Sequence, residues 1–251
     1  MSDEIKFYEN CRQYWLNYGC IDSASAGSAF STYKSGVMHP LLNGVVRLAE
    51  GQSEASIVDV IAGFRGLPST WWIGPDSGAG TLASLTALGA KLVGDLPVMT
   101  IDLQTIGSLA DLPEGVSVSE IDEGDDLGAW VNCYCPAMGV PDAQIEAMIY
   151  AERHRLDQAG QLHRFAARFE GSVIGTAELF IHAGVAGIYL VTTDAKFRRK
   201  RIGTALTQLA CLAGRKLGLR FATLQASPLG YNVYERIGFR QIGAYKLLSF
   251  P

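Results

Sequence analysis

Apolar residues in the second half of the chain fall into short runs separated by turn residues. Residues 163–169, 172–181 and 185–192 each read as a strand, divided by Glu170-Gly171 and by Ala183-Gly184. The first pair forms a predicted hairpin, because two residues with a glycine between two apolar runs favour a tight reversal. From residue 202 the period changes. Ile202, Ala205, Leu206, Leu209, Leu212, Ala213 and Leu217 share one helical stripe, and Gly218 stands where a helix would stop. A short strand at 222–225, a short helix at 229–237 closed by Gly238, and a strand at 240–249 complete the series. Ahead of it, the spacing predicts a strand at 117–121 and helices at 125–134 and 142–158, with Pro141 placed to start the second.

The first half alternates in the same way. Residues 44–49 and 70–73 read as strands, and 53–64 as a helix with Ser53 at its N-cap. Gly74-Pro75-Asp76 breaks the second strand. Leu82, Leu85, Leu88 and Leu92 then recur at helical spacing, interrupted by Gly89, and 97–103 returns to an extended apolar pattern. Between 102 and 115 the chain turns polar and ends in Asp111-Leu-Pro113-Glu-Gly115, which places a domain boundary there. Two α/β domains are expected, at 1–110 and 116–251.

Composition supports folded domains. Of the 251 residues, 48% are hydrophobic and 18% charged, too few charges for a disordered chain. A net charge of −4 gives no global attraction to nucleic acid or to an anionic membrane, so any polyanion must be held locally. Residues 1–9 lack the basic start and apolar run of a secretory signal, and no apolar stretch approaches the roughly 20 residues that span a bilayer. The five cysteines lack the density of a disulfide scaffold, and Cys133-Tyr-Cys135 has no second pair to complete a metal site. Reduced thiols, a cytoplasmic setting and no metal are the expectation.

The local cluster that could hold a polyanion is Arg198-Arg199-Lys200-Arg201. It follows a strand ending at Val191-Thr192 and precedes the striped helix. The unpaired N–H groups and dipole of a helix start favour phosphate there. Gly203 lets the backbone approach a ligand, and Thr204 offers an amide and a hydroxyl. On this evidence alone, a solvated basic helix entrance explains the run equally well.

Two motifs decide between these readings by resemblance. Val191-Thr-Thr-Asp-Ala-Lys-Phe-Arg-Arg-Lys-Arg-Ile-Gly-Thr-Ala-Leu206 resembles the acyl-CoA loop of the GNAT acyltransferase superfamily, whose pattern is Arg/Gln-x-x-Gly-x-Gly/Ala. Arg198 and Gly203 match its ends, and Arg201 stands where the first glycine is expected. Downstream, Gln225-Ala-Ser-Pro-Leu-Gly-Tyr-Asn-Val-Tyr-Glu-Arg-Ile-Gly-Phe239 is similar to the superfamily's later helix, in the usual order and separation.

The resemblance covers about the last 135 residues. It implies a mixed sheet opened to admit the pantetheine arm of acetyl-CoA against Leu190, Val191 and Thr192, with phosphates on Arg198, Arg199, Lys200, Arg201, Ile202, Gly203 and Thr204. It further implies direct attack by an amine on the thioester, with the Val191 N–H as an oxyanion donor and Tyr234 giving the leaving thiolate its proton. The base is less defined: Glu178 and His182 qualify by residue type. In Asn132-Cys-Tyr-Cys-Pro136, where the resemblance implies an acceptor pocket, Cys133 reads as a structural thiol.

Trp71-Trp-Ile-Gly-Pro-Asp-Ser-Gly-Ala-Gly-Thr-Leu82 looks like a worn counterpart of the cofactor unit, with glycines but no cation and with Asp76 where phosphates would sit. Together with His39-Pro-Leu-Leu-Asn-Gly44 and Trp71-Trp72, it resembles tandem members of the superfamily whose first copy is degenerate. One acyl-CoA per chain and a small-molecule amine acceptor are expected. An acyl-CoA sensor without chemistry, and a transferase of the same fold using aminoacyl-tRNA, remain open alternatives.

Overall fold

In the computed structural model, residues 4–24, 29–121, 124 and 126–251 are described. In chain order the elements are α1 (Ile5–Leu16), β1 (Asp22–Ala24), β2 (Phe30–Lys34), β3 (Asn43–Leu48), α2 (Glu54–Ala62), β4 (Thr70–Ile73), α3 (Thr81–Ala87), β5 (Lys91–Asp102) and β6 (Val116–Glu120). They continue with α4 (Leu127–Met138), α5 (Ile145–Arg153), β7 (Leu162–Phe169), β8 (Ser172–His182), β9 (Val185–Thr193), α6 (Ile202–Lys216), β10 (Phe221–Gln225), α7 (Tyr231–Ile237) and β11 (Arg240–Ser249). The α/β class expected from the pattern is the class observed. No helix among the described residues is long and apolar enough to cross a membrane.

The chain divides into two compact units that are not contiguous in sequence. One holds Met1–Cys11, Val98–Ile149 and Asp157–Ile242; the other holds Arg12–Pro97, Tyr150–Leu156 and Gly243–Pro251. The expected division between 110 and 116 falls inside the first unit, and β5 and β11 each contribute residues to both.

In the first unit the strands run in the order β5, β10, β9, β8, β7, β6, with only the β10–β9 pair parallel. The turns that link β7 to β8 and β8 to β9 place both central residues in the left-handed region, at Glu170 and Gly171 and at Ala183 and Gly184. That hand matches the twist of the flanking strands. Alternation along β8 sorts the two faces. Gly175, Ala177 and Leu179 face α6, where Ile202, Leu206, Ala210 and Cys211 complete the core. Thr176 and Glu178 face the side covered by α4, whose Trp130 lies over Arg164 and donates its indole N–H to the Phe165 carbonyl at 2.9 Å.

In the second unit the order is β1, β2, β3, β4, β11, with β3 and β4 parallel. Its core gathers Val45, Ile57, Phe64, Trp71, Leu85 and Leu248. Gly44 is required where β3 meets β4, since a Cβ there would stand 1.9 Å from the Thr70 carbonyl oxygen. The Ser53 cap forms as expected, its hydroxyl accepting from the Ser56 N–H at 3.2 Å.

Three sequence expectations shift. The leucine stripe from 82 ends at Ala87 because Gly89 turns left-handed, so Leu92 belongs to β5 and is exposed. The helix expected over 142–158 is a short 3-10 turn at Asp142–Gln144 followed by α5. The helix expected from 125 begins at Leu127, and Asp125 lies outside the described residues.

Candidate functional site

The expected binding strand, loop and helix are consecutive in the first unit. Strand β9 does not pair evenly with β8. Thr176 stands opposite Thr192 and Glu178 opposite Tyr189, so β9 carries one extra residue between them. This bulge falls on Leu190 and Val191, and Leu190 adopts the left-handed conformation with φ 45. A bulge leaves a residue of the longer strand without its ladder partner and re-aims the backbone. The segment expected to receive an extended ligand is thus the place where β9 departs from regular pairing.

After β9 the chain forms a 3-10 turn, Ala195–Phe197, capped by Asp194, whose carboxylate accepts from the Lys196 N–H at 2.8 Å. Arg198 then reaches back so that its Nε donates to the Thr193 carbonyl at 3.3 Å. Arg199 and Arg201 are both left-handed, at φ 63 and 62, while Lys200 between them is not. Alternation of hand along successive residues turns their N–H groups toward a common concavity that suits an anion. Arg201 is also the N-cap of α6, without a side-chain cap. The left-handed turn that a glycine would supply is therefore present with arginine in its place, at a cost of about 1–2 kcal/mol.

All four basic side chains, Arg198 to Arg201, are exposed, and Ile202 behind them anchors the helix start in the core at 1% exposure. Gly203 and Thr204 lie on the first turn of α6 and are partly exposed. A Cβ added to Gly203 would meet only Thr193 Oγ1 at 3.6 Å and Val191 Cγ1 at 4.0 Å, ordinary contacts. Protein packing therefore does not demand a glycine there. A ligand backed against this turn would.

Tyr234 lies on α7 in the same core, 9% exposed, with its ring 6.0 Å from that of Phe239. Burial raises the phenol above its ordinary pKa, and the Cys211 thiol on α6 adds to the rise. Cys211 itself is pushed by burial to about 12.

Glu178 is placed differently from a free base. It is fully buried, and its carboxylate accepts from Arg164 Nε at 3.1 Å beneath α4. Withdrawing one member of such a pair leaves an uncompensated charge worth about 3–5 kcal/mol. The carboxylate expected by residue type to serve as base is thus already engaged by a buried cation. His182 is at the far end of β8, where burial lowers its pKa and Glu9 partly opposes the shift.

Burial, reinforced by the Asp194 carboxylate, pushes the Cys133 thiol of α4 up to about 11. The thiolate is disfavoured there at neutral pH. Thr176, which the sequence did not single out, donates its hydroxyl hydrogen to the Leu190 carbonyl at 2.7 Å. A threonine in a strand reads as an ordinary strand former, so nothing in the sequence marks it.

The Trp71–Leu82 segment also forms strand, loop and helix, but its loop is closed on itself. Asp76 pairs with Arg12, and the Gly74 N–H donates to Ser77 Oγ at 3.0 Å.

Comparison with known proteins finds the same fold. The model of the acetyltransferase (GNAT) family matches residues 126–239. A GCN5-related N-acetyltransferase from Kribbella flavida is 15% identical and superposes with a TM-score of 0.72, over 98% of this chain and 96% of that one. A tandem GNAT protein from the clavulanic acid biosynthesis pathway, solved without AcCoA, is 13% identical with a TM-score of 0.61, over 90% and 80%. A GCN5-related N-acetyltransferase from Sphaerobacter thermophilus is 22% identical with a TM-score of 0.58, over 72% and 58%. At these identities the likeness is one of fold. No curated protein sequence matches the chain.

Proposed function

We propose, from the premise that residues 126–239 are a domain of the acetyltransferase (GNAT) family, that this chain moves an acetyl group from acetyl-CoA to the amine of a small metabolite. The observation that carries the reading is the continuous run from the β9 bulge through the left-handed basic loop into α6. Such a run offers backbone groups to an extended amide-bearing arm and N–H groups and cations to phosphates. The residues are those expected: Leu190, Val191 and Thr192 for the arm, and Arg198 to Thr204 for the phosphates.

The acceptor nitrogen attacks the thioester carbon directly. The Val191 N–H, at the bulge, stabilises the oxygen as its charge develops. When the carbon–sulfur bond breaks, the sulfur takes a proton from Tyr234, which regains one from water; the phenol is protonated throughout the neutral range and burial raises its pKa further. The proton lost by the amine passes to water, and no step passes through Glu178. The chain's other unit reads as a degenerate copy of the same fold, and the setting as cytoplasmic.

Isothermal titration with acetyl-CoA, followed by thiol release over a panel of small amines, tests the reading. Tyr234→Phe is expected to lower turnover by about 100-fold, the scale of general-acid assistance, with acetyl-CoA affinity within about threefold. Tight binding with no turnover on any amine would favour an acyl-CoA sensor, and full turnover in Tyr234→Phe would remove that residue as proton donor.

A further inference from the structure

The left-handed conformation of Leu190 calls for a compensating contact. A leucine in this region costs about 1–2 kcal/mol and lacks the short polar side chain with which Asn or Asp offsets it. The compensation comes from the neighbouring strand. Thr176 is fully buried, and its hydroxyl donates to the Leu190 carbonyl at 2.7 Å. Its one hydrogen being used there, its oxygen faces Thr192 Oγ1 at 2.8 Å as an acceptor. One side chain on β8 thus holds both ends of the bulge, the Leu190 carbonyl and the Thr192 side chain, with Val191 between them.

We infer that Thr176 is a positioning residue, whose hydroxyl fixes the β9 bulge and so aims the Val191 N–H at the thioester carbonyl. The inference rests on the reading that Leu190–Thr192 receives the acyl-CoA arm. Thr176 touches neither substrate nor reacting atoms; it acts through one backbone carbonyl. Displacing a reacting group by about 1 Å can cost about 100-fold in rate. Loss of this hydroxyl is therefore felt in turnover more than in affinity.

The experiment compares wild type with Thr176→Val, which keeps the shape and removes the donor, and Thr176→Ser, which keeps the donor. Acetyl-CoA affinity is measured by titration and turnover by thiol release. The Val191 amide proton is followed by NMR with CoA and with acetyl-CoA in turn, a readout that needs no acceptor. The expected result is an acetyl-dependent downfield shift of that amide in wild type and in Thr176→Ser, lost in Thr176→Val. Turnover in Thr176→Val falls about 10- to 100-fold with affinity within about threefold, the scale of a misaimed donor. Should Thr176→Val not fold, Thr176→Cys, a weak donor of similar size, carries the same comparison.

An unchanged amide shift and unchanged turnover in the donor-free variant would overturn the inference and leave the proposed activity standing. Failure of wild type to bind acetyl-CoA would overturn the activity and the inference with it.

Discussion

Two segments of this chain run strand, loop, helix, and they differ in what the loop can do with a charge. In the Val191–Leu206 segment the loop is cationic and exposed, two of its arginines are left-handed, and the following helix spans Ile202–Lys216. In the Trp71–Leu82 segment the loop carries Asp76, already neutralised by Arg12, and leads into a helix of only 7 residues. The order of elements is the same, so it is not what makes a phosphate site. What distinguishes the first loop is that none of its four cations is paired with a carboxylate among the described residues and all of them face solvent. The second spends its polar groups on holding itself closed.

The largest effect that would break this contrast comes from the cations. Replacing Arg198 and Arg199 together by alanine removes two charge-assisted contacts to phosphate, each worth about 1.5 kcal/mol or more, so acyl-CoA affinity should fall about 100-fold. Circular dichroism should be unchanged, since both side chains are exposed. Asp76→Asn in the other loop should leave one acyl-CoA per chain by titration. A second binding event, or an arginine double variant that binds like wild type, would show that the two loops do not differ as described.

The contrast in charge was legible before the structure, because Arg198 to Arg201 and Asp76 are one-dimensional facts. The first hairpin was legible as well, since Glu170-Gly171 carries its turn chemistry with it. What could not be read was register beyond that turn. Counting back evenly from Glu170-Gly171 puts Arg164 opposite Ala177, but β8 carries an extra residue near Ile174 that moves Arg164 opposite Glu178. One residue of slip brings Arg164 opposite Glu178, with which it forms a buried ion pair. The β9 bulge is hidden for the same reason: a leucine gives no local signal of a left-handed turn, and its partner Thr176 lies on another strand. Helix α1 was missed too, because its buried face includes tyrosine and tryptophan among polar residues and shows no aliphatic stripe.

A smaller effect separates the glycines of the two loops. Gly203→Ala introduces a Cβ that the protein itself accommodates, and alanine is the better helix former by about 1 kcal/mol in a helix interior. Thermal unfolding should therefore move up slightly while acyl-CoA affinity falls about tenfold, an opposition that a purely structural glycine would not give. Gly80→Ala, at the start of α3, also meets open space, and should leave affinity unchanged. Equal affinity in Gly203→Ala and wild type would mean that no ligand backs against the first turn of α6.

The smallest effect isolates backbone from charge at Arg201. Alanine and glycine both remove the cation, so acyl-CoA affinity should fall by the same factor in Arg201→Ala and Arg201→Gly. Only glycine relieves the left-handed conformation at φ 62, and Arg201→Gly should be the more stable of the two by about 1 kcal/mol, measured by urea unfolding. Glycine also gains more freedom in the unfolded chain, which trims the difference without reversing it. If the alanine variant matches the glycine variant in stability, the arginine is not holding a strained turn, and the loop's hand owes nothing to the glycine it replaces. If they differ as expected, the turn survives a poor residue because the cation at that position is worth more to binding than the strain costs the fold.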